Sequence, residues 1–256
     1  MAGGYLAWGT WAVEVKEYRV PSKGRDSFTI VQISDLHGKT RFFNGRVHQM
    51  VNALQPDLIC VTGDLTNHRG QLPQVMAELA QLRARHGVFF VPGNYEREEV
   101  VRLRKRAITG ENYLAHVKGE LVVLENAFRR VRIGETDVFV YGFDNSTYGR
   151  ERYTARGQER DGEFRLYLAH SPNIVHYLRG LGVTPNLLLV GHTHGGQIRL
   201  FNRTFGAYSY FHVGLRKAGE AFYFAINKGL GTVKVPFRID CRPEISVYRV
   251  RGNSEG

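Results

Sequence analysis

An α/β fold is the class that this sequence predicts, and three observations carry the prediction. Short apolar runs rich in β-branched residues alternate with segments of helical period. Five of those runs stop at Asp, Asn or His beside a glycine or proline. No run reaches the length of a membrane-spanning helix. The 256 residues contain no internal repeat, low-complexity tract or linker, so a single domain over 1–256 with a substantial core is expected. Apolar residues at 43 % and charged residues at 23 % exclude a disordered chain. The net charge of +11 calls for anionic partners: nucleic acid, an anionic lipid surface or a phosphorylated substrate. Two cysteines, Cys60 and Cys241, provide no disulfide framework.

The elements follow in order. Residues 1–11 lack the basic flank and long apolar stretch of a secretory signal. Tyr5, Trp8 and Trp11 nevertheless favour a membrane interface, so 1–20 is a candidate membrane-proximal segment, with an edge strand over 11–20 as the plainer reading. A strand over 28–34 leads to Asp35 and His37, two apart and therefore on one side of an extended chain. A helix over 46–54 and a strand over 57–62 follow, the strand ending at Gly63-Asp64. The spacing predicts a helix over 72–86 stopped by Gly87, then a strand over 88–91 ending at Gly93-Asn94-Tyr95. Acids at Glu96, Glu98 and Glu99 followed by Arg102, Arg104, Lys105 and Arg106 match a helix dipole, which predicts a helix over 96–108.

Strands over 121–124, 128–133 and 138–143 have the alternation of hairpins at an edge or in a second sheet. A strand over 166–169 delivers His170, a helix covers 173–181, and the run 187–190 delivers His192 and His194 to a glycine-rich turn. Phe201, Phe205, Tyr208, Tyr210 and Phe211 alternate with Arg203, Arg216 and Lys217, a mixture suited to core packing or to a lipid phosphate surface. Strands over 221–226 and 244–250 close the chain around the loop 227–231. His48, His86 and His176 read as structural.

Ligands of open α/β sheets bind at the carboxyl ends of the strands, so the five termini can share one crevice. They supply Asp35, His37, Asp64, Asn94, His170, His192 and His194. Seven oxygen and nitrogen donors without a thiolate exceed what one tetrahedral zinc takes and suit two divalent first-row ions sharing a carboxylate.

The motifs Asp35-Leu-His37, Gly63-Asp64, Gly93-Asn94, His170 and Gly191-His-Thr-His194 resemble, in this order, the calcineurin-like metallophosphoesterase superfamily. Residues 191–199 and 227–232 look most similar to its membrane-associated branch of bacterial phosphodiesterases, which includes a UDP-2,3-diacylglucosamine pyrophosphatase of lipid A biosynthesis. The resemblance implies a four-layer αββα sandwich, two mixed β-sheets flanked by helices. It implies that Asp35, His37 and His194 hold one metal, that Asn94, His170 and His192 hold the other, and that Asp64 bridges them. The ions would be Mn2+, with Fe or Zn as alternatives, and a hydroxide between them would attack phosphorus. Gly195, Gly196, Gln197, Arg199 and Lys228 are the candidates for substrate contact.

The resemblance further implies a peripheral protein at the cytoplasmic face of the inner membrane acting on a phosphorylated lipid or nucleotide-lipid. A broader phosphodiesterase, a nuclease and a metal-free scaffold are the competing readings. The nuclease is disfavoured because no nucleic-acid module is recognisable and the basic residues are scattered. One position departs from the family, which has histidine where Tyr95 stands. A phenol titrates near about 10 and is a poor proton donor at neutrality. Asn94, Tyr95 and His68 are therefore the catalytic candidates, His68 as a replacement acid, and the substitution favours a phosphoanhydride whose leaving phosphate needs little protonation.

Overall fold

The computed structural model describes residues 2–253, apart from 102–103, 109–112, 114, 116, 201–202 and 205–208. Among these residues the strands form two six-stranded sheets. The first runs Glu14–Pro21, Glu244–Arg251, Phe28–Ile33, Leu58–Val61, Val88–Phe90, Val122–Val123. The second runs Ala127–Ile133, Thr136–Gly142, Phe164–Leu168, Leu187–Val190, Tyr223–Ile226, Gly214–Lys217. Both are mixed, each with a block of parallel central strands and at least one antiparallel neighbour.

Side-chain alternation builds the layers. Phe28, Ile30, Leu58 and Cys60 point between the sheets, where they meet Leu166, Leu168, Leu187 and Leu189 of the second sheet. Their neighbours Val31, Ile33, Ile59 and Val61 point outward onto Val47, Val51, Val75 and Leu79 of the helices Val47–Asn52 and Leu72–Leu79. On the opposite side Tyr167, Leu188, Val190 and Ile226 pack against Ile174, Val175 and Leu178 of the helix Ile174–Leu181. The order is helix, sheet, sheet, helix, and strands buried on both faces explain why their sequences are continuously apolar.

Three segments differ from expectation. Among the described residues of 96–108, Glu98–Val101 pairs antiparallel with Arg104–Ala107 where the sequence predicts a helix, and Arg102 lies outside the described residues. The acid-then-base order that suits a helix dipole also places opposite charges across a turn, with Glu99 facing Arg106 and Lys105 paired to Glu98 at 2.5 Å. The buried Glu96 carboxylate then decides, because it accepts the N–H groups of Asp64, Leu65 and Gly93 and pins the chain in an extended path. The helix from Leu72 ends at Leu79, seven residues early. Asn52 takes over its unwound end by bonding Gln81 and Arg83, and Arg85 and His86 already donate to Pro56 and Asp57 on the way into the next strand. The aromatic start is a helix, Ala2–Trp11, before the edge strand at Glu14. Thr10 fits this helix because its hydroxyl donates to the Leu6 carbonyl.

Candidate metal centre

The parallel strands of both sheets end on one side of the molecule, and their termini are tied together by backbone bonds. Asp35 N–H donates to Gly63 O, His37 N–H to Asp64 O, and Gly191 N–H to His170 O. Two glycines permit the approach. A Cβ on Gly93 would lie 2.7 Å from the Asp64 backbone nitrogen, and one on Gly191 would collide with Ser34 Oγ and the Asp35 carboxylate. Five of the chemical side chains leave from left-handed backbone: Asp35 (φ 49°), His37 (46°), Asp64 (56°), His192 (70°) and His194 (51°). None is glycine, so each costs about 1–2 kcal/mol, a strain that concentrates where side chains are aimed at a ligand.

Six of the seven candidate donors meet as two groups, and Asp64 faces both. Asp35, His37 and His194 form one, with His37 Nε2 3.1 Å from His194 Nε2 and His194 Nε2 3.4 Å from Asp35 Oδ1. Asp64, His170 and His192 form the other, with His170 Nε2 2.9 Å from His192 Nδ1. Asp64 Oδ2 stands 3.3 Å from His170 and 3.7 Å from His37, so it faces both groups. Its Oδ1 accepts the Tyr95 N–H at 2.9 Å.

Asn94 supplies the clearest sign of an intended ion. Its amide NH2 donates to Glu98 Oε1 at 2.8 Å, while its Oδ1 is buried and without a hydrogen-bond partner among the described residues. An orphaned buried acceptor is costly unless a ligand satisfies it. The donor set of carboxylate, carboxamide and imidazole fits divalent first-row cations.

Burial sets the protonation. It pulls His37 down to about 4 and His192 down to about 3, the latter helped by His170, and with His37 and Arg238 nearby it holds His194 low. These imidazoles are neutral, as ligation requires. Burial opposes a charged His170, but Asp64 and Asp35 overcome it and raise His170 to about 10. Burial likewise pushes Asp35 up, whereas at Asp64 the charged His170 beside it outweighs burial and keeps the carboxyl ionised.

Behind the donors lie residues that sequence reasoning missed. A chain of hydroxyl and amide groups runs from the inter-sheet core to Asp35: Tyr248 donates to Gln32, Gln32 to Thr62, Thr62 to Ser34, and Ser34 to Asp35 Oδ2 at 2.6 Å. It occupies one oxygen of Asp35 and turns the other to the site. Arg238 is fully buried and donates to the carbonyls of Lys228, Gly229, Gly231 and His194, fixing the turn that carries His194. Alternating apolar patterns give no signal for any of these.

A cavity of about 420 Å³ opens beside the donors, lined by Asp64, Asn94, Tyr95, His192 and His194, with Lys105 and Lys234 at its sides and Ile198, Val233 and Val235 as an apolar wall. Tyr95 stacks edge-on to His37 at 4.8 Å, and burial with Asp64 and Glu98 pushes its phenol up to about 12. The other sequence candidates divide. Gly196 and Gln197 line the cavity, although the Gln197 amide is engaged with the backbone of Val233, Val235 and Phe237. Gly195 backs onto Lys228 and Cys241. The Lys228 ammonium lies between Glu14 and Glu244, and neither it, Arg199 nor the exposed His68 is among the described lining residues. Phe201, Phe205 and Tyr208 lie outside the described residues, Phe211 packs on the outer core, and Tyr210 is exposed. Both cysteines are free and buried.

The sequence and the fold have relatives among known proteins. The sequence model of calcineurin-like phosphoesterases matches residues 28–196, from the first of the site-bearing strands through the last glycine turn. A transmembrane protein with metallophosphoesterase domain from Bos taurus is 29 % identical over 252 residues, covering 91 % of this chain and 55 % of its own length. The chain thus spans about half of that relative. The metallophosphoesterase YkuE of Bacillus subtilis (strain 168) is 27 % identical over 261 residues, covering 94 % of this chain and 87 % of its own. The NAD nucleotidase of Haemophilus influenzae shares the fold at a TM-score of 0.55 with 13 % identity, over 80 % of this chain and 46 % of that one. On its motifs, its sandwich and its relatives, the chain belongs to the calcineurin-like phosphoesterase family of metal-dependent hydrolases.

Proposed function

We propose that this protein is a di-metal phosphohydrolase that cleaves the pyrophosphate of UDP-2,3-diacylglucosamine, giving UMP and 2,3-diacylglucosamine 1-phosphate. The observation that carries the hydrolase reading is Asp64, whose Oδ2 faces both donor groups while Oδ1 is held by the Tyr95 N–H. Asp35, His37 and His194 would hold one ion, Asn94, His170 and His192 the other, with Asp64 common to both. Mn2+ suits this thiolate-free set, with Fe or Zn as alternatives. Bound there, two divalent ions supply an activated water and neutralise charge on the phosphoryl oxygens.

The chain's own residues prepare that chemistry. Lys234 and Lys105, the latter paired with Glu98, line the cavity and supply positive charge for an anionic substrate. Tyr95 stays protonated through the neutral range and donates a hydrogen bond without giving up its proton, which suits a weakly basic leaving group. Ile198, Val233 and Val235 offer an apolar wall to an acyl chain. The relationship to a transmembrane metallophosphoesterase agrees with work at a membrane. We place the protein peripherally at the cytoplasmic face of the inner membrane, with an anionic lipid surface as partner. No described helix is long and apolar enough to cross it.

A second reading, a phosphodiesterase of smaller phosphoesters or phospholipid head groups, is favoured by the cavity itself. About 420 Å³ holds a phosphorylated head group but not two acyl chains as well. Purified protein with Mn2+ is to be assayed against the UDP-lipid, a nucleotide diester and an aryl phosphodiester. Turnover of the UDP-lipid above the others supports the first substrate, turnover of the aryl compound alone removes it, and inactivity on all three with every metal removes the hydrolase reading.

A further inference from the structure

Of the five large aromatic residues exposed among the described residues, three lie on one helix and the hairpin beside it, and Tyr148 and Tyr210 lie elsewhere. Trp8 is 55 % exposed, Trp11 39 % and Phe43 63 %, and the helix Ala2–Trp11 that carries the first two sets Trp11 beside the hairpin that carries the third. Phe43 N–H donates to the Trp11 carbonyl at 2.8 Å, and the Trp11 ring lies 6.5 Å from that of Phe43. A folded soluble surface rarely groups large aromatics in this way without a partner for them. The helix has no charged residue in ten positions, yet cations stand directly against its indoles. The Arg242 guanidinium lies 5.5 Å from the Trp8 ring and exposed Arg41 stands next to Phe42, while the Lys39 ammonium is buried 4.2 Å from the Trp11 ring. Tryptophan flanked by lysine and arginine is the composition that settles at the boundary between phospholipid head groups and acyl chains.

The patch is mechanically continuous with the cavity. Thr10 Oγ1 accepts the Arg238 N–H at 2.9 Å, and Gly9 packs on the Arg238 carbonyl. From Arg238 the chain runs back through Phe237 and Val235, whose carbonyls Gln197 holds, to Lys234 and Val233 in the cavity wall. The seat of the helix and one wall of the cavity are therefore two ends of the segment 233–238.

We propose that Trp8, Trp11 and Phe43 form a docking face for an anionic lipid surface, which brings the wall of the cavity at 233–235 to the membrane boundary. The proposal rests on the reading of the substrate as a lipid, but its test does not use turnover of that substrate. Trp8 and Trp11 are the two tryptophans of the sequence, so intrinsic fluorescence reports on this face alone. With the full chain and phosphatidylglycerol-containing vesicles, tryptophan emission should shift to the blue and the protein should co-sediment. Both effects should weaken with salt and be smaller on pure phosphatidylcholine vesicles. The variant Trp8→Ser/Phe43→Ser, altered only at exposed side chains, should bind at least about tenfold more weakly. Its hydrolysis of a soluble aryl phosphodiester should stay within about twofold of the unaltered chain, which separates loss of docking from loss of the site. An emission spectrum unmoved by vesicles would overturn the proposal. So would undiminished vesicle binding by the double variant, or a shift that follows protein concentration without lipid and so marks contact between copies of the chain.

Discussion

Asp64 presents two oxygens to different neighbours, and that difference organises the site. Oδ1 is fixed by the Tyr95 N–H, whereas Oδ2 lies between His37 and His170. Asp64→Ala should therefore lower turnover at least about 10³-fold at saturating metal, measured as kcat on an aryl phosphodiester. Tyr95→Phe should keep hydrolysis of a phosphoanhydride within about tenfold, because the leaving phosphate needs little protonation. Ser34→Ala removes the hydroxyl donor to Asp35 Oδ2, leaving the His192 N–H, and should weaken metal binding about 10–100-fold by calorimetry, with activity recovering as metal is added. At this scale the sequence was informative about donors and silent about what orients them. Asp, Asn and His at strand ends are visible as motifs. The reach of Glu98 to the Asn94 amide, of Ser34 to Asp35, and of Arg238 across residues 228–231 depends on tertiary folding, to which local spacing is blind.

Elements were legible where periodicity had one interpretation. The central strands and the helix Ile174–Leu181 fall where alternation of apolar segments places them, since both faces of each strand and one face of the helix are buried. The segment 96–108 was ambiguous because one charge order serves a helix dipole and a hairpin equally well, and the buried Glu96 settles it. The helix Leu72–Leu79 carries its own charge test. Burial alone would raise the Glu78 carboxyl, but the His48 N–H, the Arg46 guanidinium and the His48 ring outweigh it and hold its pKa below the ordinary value. A depressed folded pKa gives stability that is complete above the unfolded value, about 4.3, and is lost as pH falls through the folded one. Cooling of the melting temperature between about pH 5 and about pH 3 should accordingly be steeper in the unaltered chain than in Glu78→Gln, followed by circular dichroism.

For the whole molecule, two sheets with parallel centres aim their carboxyl ends at one point, and this convergence turns six scattered residues into one site, with Asn94 in the cavity beside them. The αββα layering entered the sequence reading through the family resemblance, because alternation along a strand shows that both faces are buried without saying whether sheet or helix covers them. The +11 charge calls for an anionic partner without saying where on the molecule one would sit, because the positions of Lys105, Lys234 and Arg242 are set by tertiary folding. The central claim is that Asp64 joins two metal positions needed together for hydrolysis. Counting bound divalent ions per chain by elemental analysis after reconstitution and dialysis, with turnover measured on the same samples, tests it directly. Two ions per unaltered chain, turnover abolished by a chelator and restored by metal, and fewer than two ions without turnover in Asp64→Ala are expected. A chain that hydrolyses phosphoesters with no bound ion, or an Asp64→Ala variant that keeps both ions and its turnover, would contradict it.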